Sequence, residues 1–191
     1  MTTPPDILEF WFGDKADADY GEYRKIWFQP DEAFIAEVKE RFTDVHTRAA
    51  EGELDDWQET PEGALALIIL LDQMSNLIYR FEPGGFASDA KAVEITKKAL
   101  MRSFDKEFPD QFRWFFYLPL EHSENLIDQY TAVGLFSMLT PGEANDPGVE
   151  YAIRHLRVIQ RFGRFPNRNE ALGRKSTPEE EEFLAGPDAP F

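Results

Sequence analysis

Apolar side chains recur along most of the chain at the spacing of one helix face, and turn-forming residues separate the segments. The clearest case follows Asp31, where apolar residues repeat every three or four positions until Gly52. This spacing predicts an amphipathic helix with one buried side. The apolar positions in it are Phe34, Val38, Phe42, Val45 and Ala49.

The same pattern predicts helices throughout the chain, with almost no strand signals. The segment 61–79 is apolar nearly all round, so we expect a central helix that other helices cover. We expect Pro119 to separate or kink the helices on either side of it. Together these features predict a single all-α domain of antiparallel helix hairpins over residues 1–191. The predicted helices span residues 7–12, 20–28, 31–52, 61–79, 88–103, 112–118, 120–139, 147–163 and a short stretch after 177.

The composition excludes several classes of protein. Of the 191 residues, 42% are hydrophobic and 17 are Phe, which is enough to fill a core and rules out general disorder. The 20 Lys and Arg against 36 Asp and Glu give a net charge of −16. This charge opposes non-specific binding to nucleic acid or anionic membranes. The lack of cysteine excludes disulfide scaffolds, thiolate metal sites and a cysteine nucleophile.

Targeting and membrane signals are not visible in the sequence. The first residues lack a basic region and place Asp6 and Glu9 within their apolar stretch. The longest apolar run, Ala64–Leu71, has eight residues, whereas a membrane span needs about 20. We therefore expect a soluble, cytoplasmic protein.

A series of short motifs runs in order along nearly the whole chain. They are ILEFWFG at 7–13, WF at 27–28, GELDDW at 52–57, TPEG at 60–63, LDQ at 71–73, FYLP at 116–119, EHSE at 121–124 and RFGRFP at 161–166. Together these motifs resemble the bacterial domain-of-unknown-function 924 family. The resemblance implies an all-α, tetratricopeptide-like superhelical fold and no established reaction.

Two departures from the family pattern affect polar residues. After Leu-Asp-Gln the family continues Phe-Pro-Arg-Asn, whereas this chain has Met74-Ser75-Asn76-Leu77. Near the C-terminus the family has Phe-Pro-His-Arg-Asn, and here Asn167 stands at the histidine position. If the family has an active site that uses those side chains, we expect this chain to be weakened or inactive there. The predicted fold is unaffected by either change.

Motifs for common catalytic and cofactor sites are absent from the sequence. The three histidines, His46, His122 and His155, are not part of a Glu-x-x-His or His-Glu-x-x-His metal motif. The sequence also has no Gly-x-Ser-x-Gly elbow, Walker loop or Gly-x-Gly-x-x-Gly fingerprint. We therefore expect neither a metal nor a cofactor.

The predicted helix 120–139 carries the strongest candidate for catalysis, because its spacing forms one acidic face and one apolar face with two polar members. One hypothesis makes His122 a general base that Glu124 or Asp72 assists. The alternative, which the sequence favours, makes His122 a core histidine with satisfied hydrogen bonds and the acids a solvated face. The acidic face would hold Glu121, Glu124 and Asp128, and the apolar face would include His122 and Gln129.

Asp72 and Gln73 end the apolar run of the central helix, where dry surroundings are expected. A carboxylate in such surroundings is either paired or has a raised pKa. The sequence favours pairing of Asp72 with an arginine, either Arg80 or one near the C-terminus. The alternative is a catalytic or ligand-binding role.

Residues 154–175 are basic although the chain as a whole is acidic. They hold six arginines and Lys175 against the single acid Glu170, a local charge of +6. Three hypotheses compete for these arginines: internal pairing with the acidic face of helix 120–139, which is favoured; binding of an anionic small ligand; and docking of an acidic partner. Nucleic acid is least favoured. At helical spacing, one stripe would contain Arg154, Arg157, Arg161 and Arg164.

The aromatic side chains are expected to be mainly core residues, with His155 packed beside Phe162. Any surplus beyond what a small core holds would leave an apolar patch for self-association. A homo-oligomer is therefore among the expected partners.

These features favour a binding protein with a polar pocket where the central helix, the helix of His122 and the arginine stripe meet. Its ligand would be an anionic small molecule or an acidic protein segment, with no nucleic-acid or membrane partner. The alternative is a small-molecule acid–base or hydrolytic enzyme that uses His122, Glu124 and Asp72. The expected ligand-binding residues are Arg157, Arg161, Arg164, Arg168, Gln73 and Gln129.

Overall fold

The computed structural model describes residues 2–80, 82–141 and 146–186. Within them the chain forms helices and turns and no strand, which confirms the all-α prediction. The helices are α1 Pro4–Phe12, α2 Glu32–Ala50, α3 Pro61–Ile68, α4 Ser75–Tyr79, α5 Asp89–Met101, α6 Asp110–His122, α7 Leu126–Leu139, α8 Pro147–Phe162 and α9 Pro178–Leu184. A π-helical segment, Ile69–Met74, joins α3 to α4.

Most helices begin where a short polar side chain caps them. Asp31 accepts a hydrogen bond from the Phe34 amide at the start of α2, and Asp146 does the same for α8. Thr177 and Glu180 form the predicted capping box of α9. Because a cap satisfies amides that the helix itself leaves unpaired, these starts were predictable from the sequence.

The chain divides into two compact units. The first comprises the residues up to Arg80 and the stretch Gly84–Pro119, and the second consists mainly of the residues from Leu120 onward. The expected single domain over residues 1–191 stays a prediction, and so does the tetratricopeptide-like arrangement of its hairpins.

The core of the first unit is built around α3, the π segment and α4. Residues Ala64–Leu71 are completely buried. Helix α3 contacts α1 and α5, while the π segment and α4 contact α2. The predicted central helix is therefore confirmed as one that other helices cover. Aromatic rings fill the space beside it, as in the stacked pair Phe12 and Phe112, whose centroids are 3.7 Å apart.

In the second unit, α7 and α8 pack as an antiparallel hairpin. The Gln160 side chain of α8 donates a hydrogen bond to the Tyr130 hydroxyl of α7 over 2.8 Å. Further along α7, a Cβ added to Gly148 of α8 would lie 3.0 Å from the Phe136 ring. Since Tyr130 precedes Phe136 while Gln160 follows Gly148, the two helices run in opposite directions.

Two predicted elements are wrong. Residues 20–28 form turns and one short 3₁₀ segment, Lys25–Trp27, instead of a helix. The segment is held from outside: Arg24 donates to the carbonyls of Phe10 and Trp11, and the Trp27 indole also donates to Trp11. These side-chain bonds tie the segment to the end of α1, 13 to 16 residues away, which local periodicity does not indicate.

The predicted separation of helices at Pro119 is also wrong, because α6 continues through Pro119 to His122. The alternative, a kink at Pro119, stays a prediction. Proline lacks one donor, but its ring is compatible with helical φ, so a helix can retain it. The break comes at Asn125, whose side chain accepts hydrogen bonds from the amides of Ile127 and Asp128 and starts α7. The helix predicted over 120–139 is present only from Leu126 to Leu139, as α7. Glu121, Glu124 and Asp128 therefore lie in α6, in the turn and in α7, and do not form the predicted face of one helix.

Candidate functional site

Gln129 closes the turn between α6 and α7. Its side chain is completely buried and donates to the carbonyls of Glu121 and Ser123, the second over 2.7 Å. Glu121 lies in the last turn of α6 and Ser123 follows the helix, so neither carbonyl has a partner within it. Gln129 therefore acts as a cap, and its predicted ligand-binding role has no support from these contacts.

Glu124 lies in the same turn and is held by the C-terminal part of the chain. Arg174 donates to both carboxylate oxygens, at 2.7 and 3.0 Å, and the Phe165 amide donates to one of them at 2.8 Å. Burial opposes the charge, but these hydrogen bonds outweigh it and hold the pKa of Glu124 below its ordinary value. A carboxylate so fully engaged has the contacts of a structural ion pair, and a catalytic role for it stays a prediction.

His122 and His155 lie near each other beside Glu121. The rings of the two histidines are 6.0 Å apart, and His155 Nδ1 lies 3.0 Å from Glu121 Oε1 and 2.9 Å from the Tyr151 carbonyl oxygen. Both neighbours of Nδ1 are acceptors, so this nitrogen carries a proton. The buried position of His155 is confirmed, and its ring contacts Phe165 at 5.6 Å.

Asp72 and Gln73 belong to the first unit, whereas the other predicted site residues belong to the second. Asp72 is buried within the π segment, and the Gln73 amide donates to its carboxylate. The Ser75 hydroxyl, at one of the positions that departs from the family pattern, donates to the Gly85 carbonyl over 3.1 Å. The expected arginine partner of Asp72 stays a prediction.

Arg164 is bound by a glutamate of α9. Its guanidinium donates to both oxygens of Glu180, at 2.7 and 2.8 Å. These hydrogen bonds lower the pKa of Glu180 to about 2, although the carboxylate is only 2% exposed. Asn169 also donates to Glu180, and it accepts a hydrogen bond from Arg174. The network fixes Arg164 in the fold.

Arg161 is paired in a different way. Its Nε donates to one oxygen of Glu179 over 2.9 Å, and its Nη2 lies 2.9 Å from the same oxygen. The two side chains are 49% and 62% exposed. The guanidinium lies over the rings of Phe162 and Phe183, at 4.7 and 5.7 Å from their centroids. Arg161 is therefore positioned by aromatic contacts, with a carboxylate partner that faces water.

The other arginines of the basic segment lie on the surface or partly covered. Arg157 is exposed and has no ion pair among the described residues. Arg154 lies over the Tyr151 ring at 5.2 Å, and Arg168 over the Phe165 ring at 4.7 Å. Arg154, Arg157 and Arg161 together are called the basic face of α8.

Internal pairing is found for Arg174, whose partner Glu124 is one of the predicted acids, and also for Arg161 and Arg164. The partners of Arg161 and Arg164 are Glu179 and Glu180 of α9 instead of the predicted acidic face. The sequence marked Glu180 only as part of a capping box. No local pattern indicates which arginine an acid some 16 residues away will reach.

Metal binding and membrane insertion find no support in the described part of the chain. No cluster of three or more His, Cys, Asp or Glu side chains in residues 2–80, 82–141 and 146–186 is arranged to hold a metal ion. Every helix within these residues is too short or too polar to cross a bilayer.

Comparisons with known proteins give a family but no reaction. A family model described as "Bacterial protein of unknown function (DUF924)" matches residues 7–188. A solved structure of the protein of unknown function ATU0120 from Agrobacterium tumefaciens is 36% identical, with a TM-score of 0.83. That similarity covers 95% of this chain and 96% of the other. No curated protein matches this chain significantly.

Proposed function

Because the chain belongs to the DUF924 family of bacterial proteins of unknown function, we propose from its own side chains that it is a binding protein for an acidic protein segment. The segment would bind to the basic face of α8. Arginine guanidinium groups suit this role, since they donate paired hydrogen bonds to carboxylates.

The exposed ion pair of Arg161 and Glu179 carries this proposal. A carboxylate already occupies the guanidinium at 2.9 Å, so this geometry accepts an acidic side chain. Exposed ion pairs contribute only about 0–1 kcal/mol. A carboxylate from a partner therefore replaces Glu179 at little cost, while Phe162 and Phe183 keep the guanidinium in place.

An extended segment fits this face better than a compact anion. Arg154 and Arg161 are seven residues apart, which is about 10 Å along a helix. Of these arginines, Arg164 makes the contacts most typical of an anion pocket, but both oxygens of Glu180 already accept from its guanidinium. A row of carboxylates matches Arg157 together with the exposed pair of Arg161, about one helical turn apart, whereas a single small anion reaches one of them.

The charge distribution directs an acidic partner to this region. The chain carries −16 overall but +6 within residues 154–175. Acidic segments are repelled by most of the surface and attracted to the basic segment, an effect that salt weakens.

A labelled hexaglutamate peptide tests the proposal by fluorescence anisotropy at low and high salt. We expect Arg161→Gln to weaken binding about fivefold, as loss of roughly 1 kcal/mol implies. We expect Glu179→Gln to strengthen binding, because it removes the internal competitor.

Arg41→Gln is the matched control, since Arg41 also forms an exposed pair, with Glu37 of α2. It should leave peptide binding unchanged. Absence of binding to the unmodified protein, or equal losses for Arg161→Gln and Arg41→Gln, would contradict the proposal.

A further inference from the structure

His46 of α2 is a buried histidine whose ring nitrogens find no partner in the described part of the chain. The residue is 3% exposed, and neither Nδ1 nor Nε2 makes a hydrogen bond to another described residue. An imidazole in such surroundings favours its neutral form, because the charged ring needs acceptors for both of its N–H groups. We infer that His46 makes the packing of α4 on α2 sensitive to pH, so that protonation of His46 releases the end of α4.

The ring of His46 packs against the last residue of α4. The centroids of the His46 and Tyr79 rings are 5.4 Å apart, and the two planes make an angle of 65°. Tyr79 also lies against Gly84, where an added Cβ would come within 2.8 Å of the tyrosine ring. The position of Tyr79 therefore depends on close contacts with uncharged groups, and the neutral ring of His46 is one of them.

The described side-chain hydrogen bonds of α4 lie at its beginning. The Ser75 hydroxyl donates to the Gly85 carbonyl over 3.1 Å, and the Asn76 amide donates to the Asp72 carbonyl over 2.8 Å. Helix α4 has only five residues, and a helix this short depends on contacts with the rest of the fold. Loss of the contact between His46 and Tyr79 therefore acts on the end of α4 while its beginning stays attached.

Burial alone decides where His46 takes up a proton. It lowers the pKa of the imidazole from the ordinary value of 6.5, and no charged group in the described chain adds to this shift or opposes it. One helical turn away on α2, the neighbours of His46 are uncharged: Phe42, Thr43, Ala49 and Ala50.

The titratable groups of the surrounding elements do not compensate a charge on His46, since none of them shifts its pKa. The contrast is His155, whose Nδ1 lies 3.0 Å from a carboxylate oxygen of Glu121. The groups around His46 are Asp44 and Arg48 on α2 itself, Asp6 and Glu9 of α1, Asp72 of the π segment, Tyr79 and Arg80 at the end of α4, and Asp55 and Lys91 near the end of α2.

Acid therefore weakens the contact between α2 and α4. In the unfolded chain His46 takes up a proton near its ordinary pKa of 6.5, whereas in the folded chain it does so only at lower pH. The stability that depends on neutral His46 is present above pH 6.5 and is lost as the pH falls below that value. Glu180 acts below pH 4.5, so the two effects occupy different pH ranges.

This inference does not depend on the acidic-segment proposal. His46 belongs to the first unit and the basic face of α8 to the second. His46→Phe should leave the binding of hexaglutamate unchanged at pH 7.5, so failure of one proposal is distinguishable from failure of the other.

Proton NMR of the imidazole groups tests the inference on the unmodified chain, which has three histidines. His122→Gln and His155→Gln assign the signals by elimination. We expect the signal of His46 to titrate at lower pH than that of a histidine in an unfolded peptide. A midpoint at or above pH 6.5 overturns the inference, whatever the stability of the variants.

Urea unfolding between pH 5 and 8 measures the effect on stability. Uptake of one proton on unfolding raises the equilibrium constant for unfolding by up to about tenfold per pH unit. We expect this constant to rise less between pH 6.5 and 5 for His46→Phe than for the unmodified chain, because phenylalanine keeps a ring at this position and does not titrate. His155→Gln, which removes another buried histidine, is the control and should not reduce the rise. An equal rise in His46→Phe and the unmodified chain contradicts the inference.

Hydrogen exchange locates the effect within the first unit. After correction for the intrinsic pH dependence of exchange, the amides of α4 should exchange faster at pH 5.5 than at pH 7.5, and those of α9 should not. In His46→Phe the difference at α4 should disappear. An acid effect that is as large in α9 as in α4 would reject the release of α4.

Discussion

At the scale of single residues, neighbouring glutamates of α9 have unlike roles. Glu179 pairs with Arg161 of α8 and is exposed, whereas Glu180 pairs with Arg164, just beyond the end of α8, and is buried. An exposed pair contributes about 0–1 kcal/mol. Removing one partner of a buried pair costs several times more, because the remaining charge is left without compensation. Glu180 therefore stabilises the fold because it is buried, whereas the exposed Glu179 can give up its place on Arg161 to another carboxylate.

We expect Glu180→Gln to lower the free energy of unfolding by about 1–3 kcal/mol at pH 7, because it weakens buried hydrogen bonds. The pKa of Glu180 is about 2 in the folded chain, against an ordinary value of 4.5. Its stabilising effect is thus present above pH 4.5 and is lost as the pH falls toward 2. Urea unfolding between pH 2 and 7 measures both effects.

Glu179→Gln is the control for this prediction and should change stability by less than about 1 kcal/mol. The free energy of unfolding of Glu180→Gln should fall less at acid pH than that of the unmodified chain, because glutamine does not titrate. Equal effects of the two substitutions would show that burial does not separate the roles of these glutamates.

At the scale of elements, the turn between α6 and α7 depends on Asn125. Its side chain accepts from the Ile127 amide over 2.8 Å and from Asp128 over 3.4 Å. We expect Asn125→Ala to destabilise the chain by about 1 kcal/mol, and Asn125→Asp to retain most of the stability, because aspartate also caps helices. Thermal unfolding of both variants measures the difference, and equal melting temperatures would disprove the capping role.

Local signals explain which elements were predictable. The starts of α2, α8 and α9 follow from caps that lie within three residues of the helix. The error at Pro119 arose because proline is a strong breaker in isolation, whereas the cap at Asn125 determines where α7 begins. The π segment was not predicted, since its residues Ile69–Leu71 continue the apolar run of α3 without a break.

The candidate site was less predictable, because its contacts join distant parts of the chain. The basic character of α8 is visible in the sequence. The pairing of Glu124 with Arg174 spans 50 residues, and that of Glu121 with His155 spans 34. Helical spacing determines which residues share a face, but it does not determine which other helix covers that face.

At the scale of the whole molecule, α6 belongs to both compact units. Its residues up to Pro119 lie in the first unit and its last residues in the second. If one unit unfolded alone, α6 would have to break near Pro119 and would lose backbone hydrogen bonds of its helical turns there. We therefore expect one cooperative transition in calorimetry, which is what the single-domain prediction requires.

The variants of the second unit provide a control for this expectation. Glu180→Gln and Asn125→Ala should shift the entire transition to lower temperature. Two separate transitions, with only one shifted by these substitutions, would establish that the units unfold independently.

The π segment has a consequence for the angular layout of the first unit. A π turn holds one more residue than an α turn, and one residue corresponds to about 100° of rotation. The side chains of α4 are therefore turned by about that angle relative to those of an uninterrupted helix. Helix α3 contacts α1 and α5, the π segment contacts both α5 and α2, and α4 contacts α2. One extra residue in the π turn thus accompanies a change of neighbour along the helix, from α1 and α5 at α3 to α2 at α4.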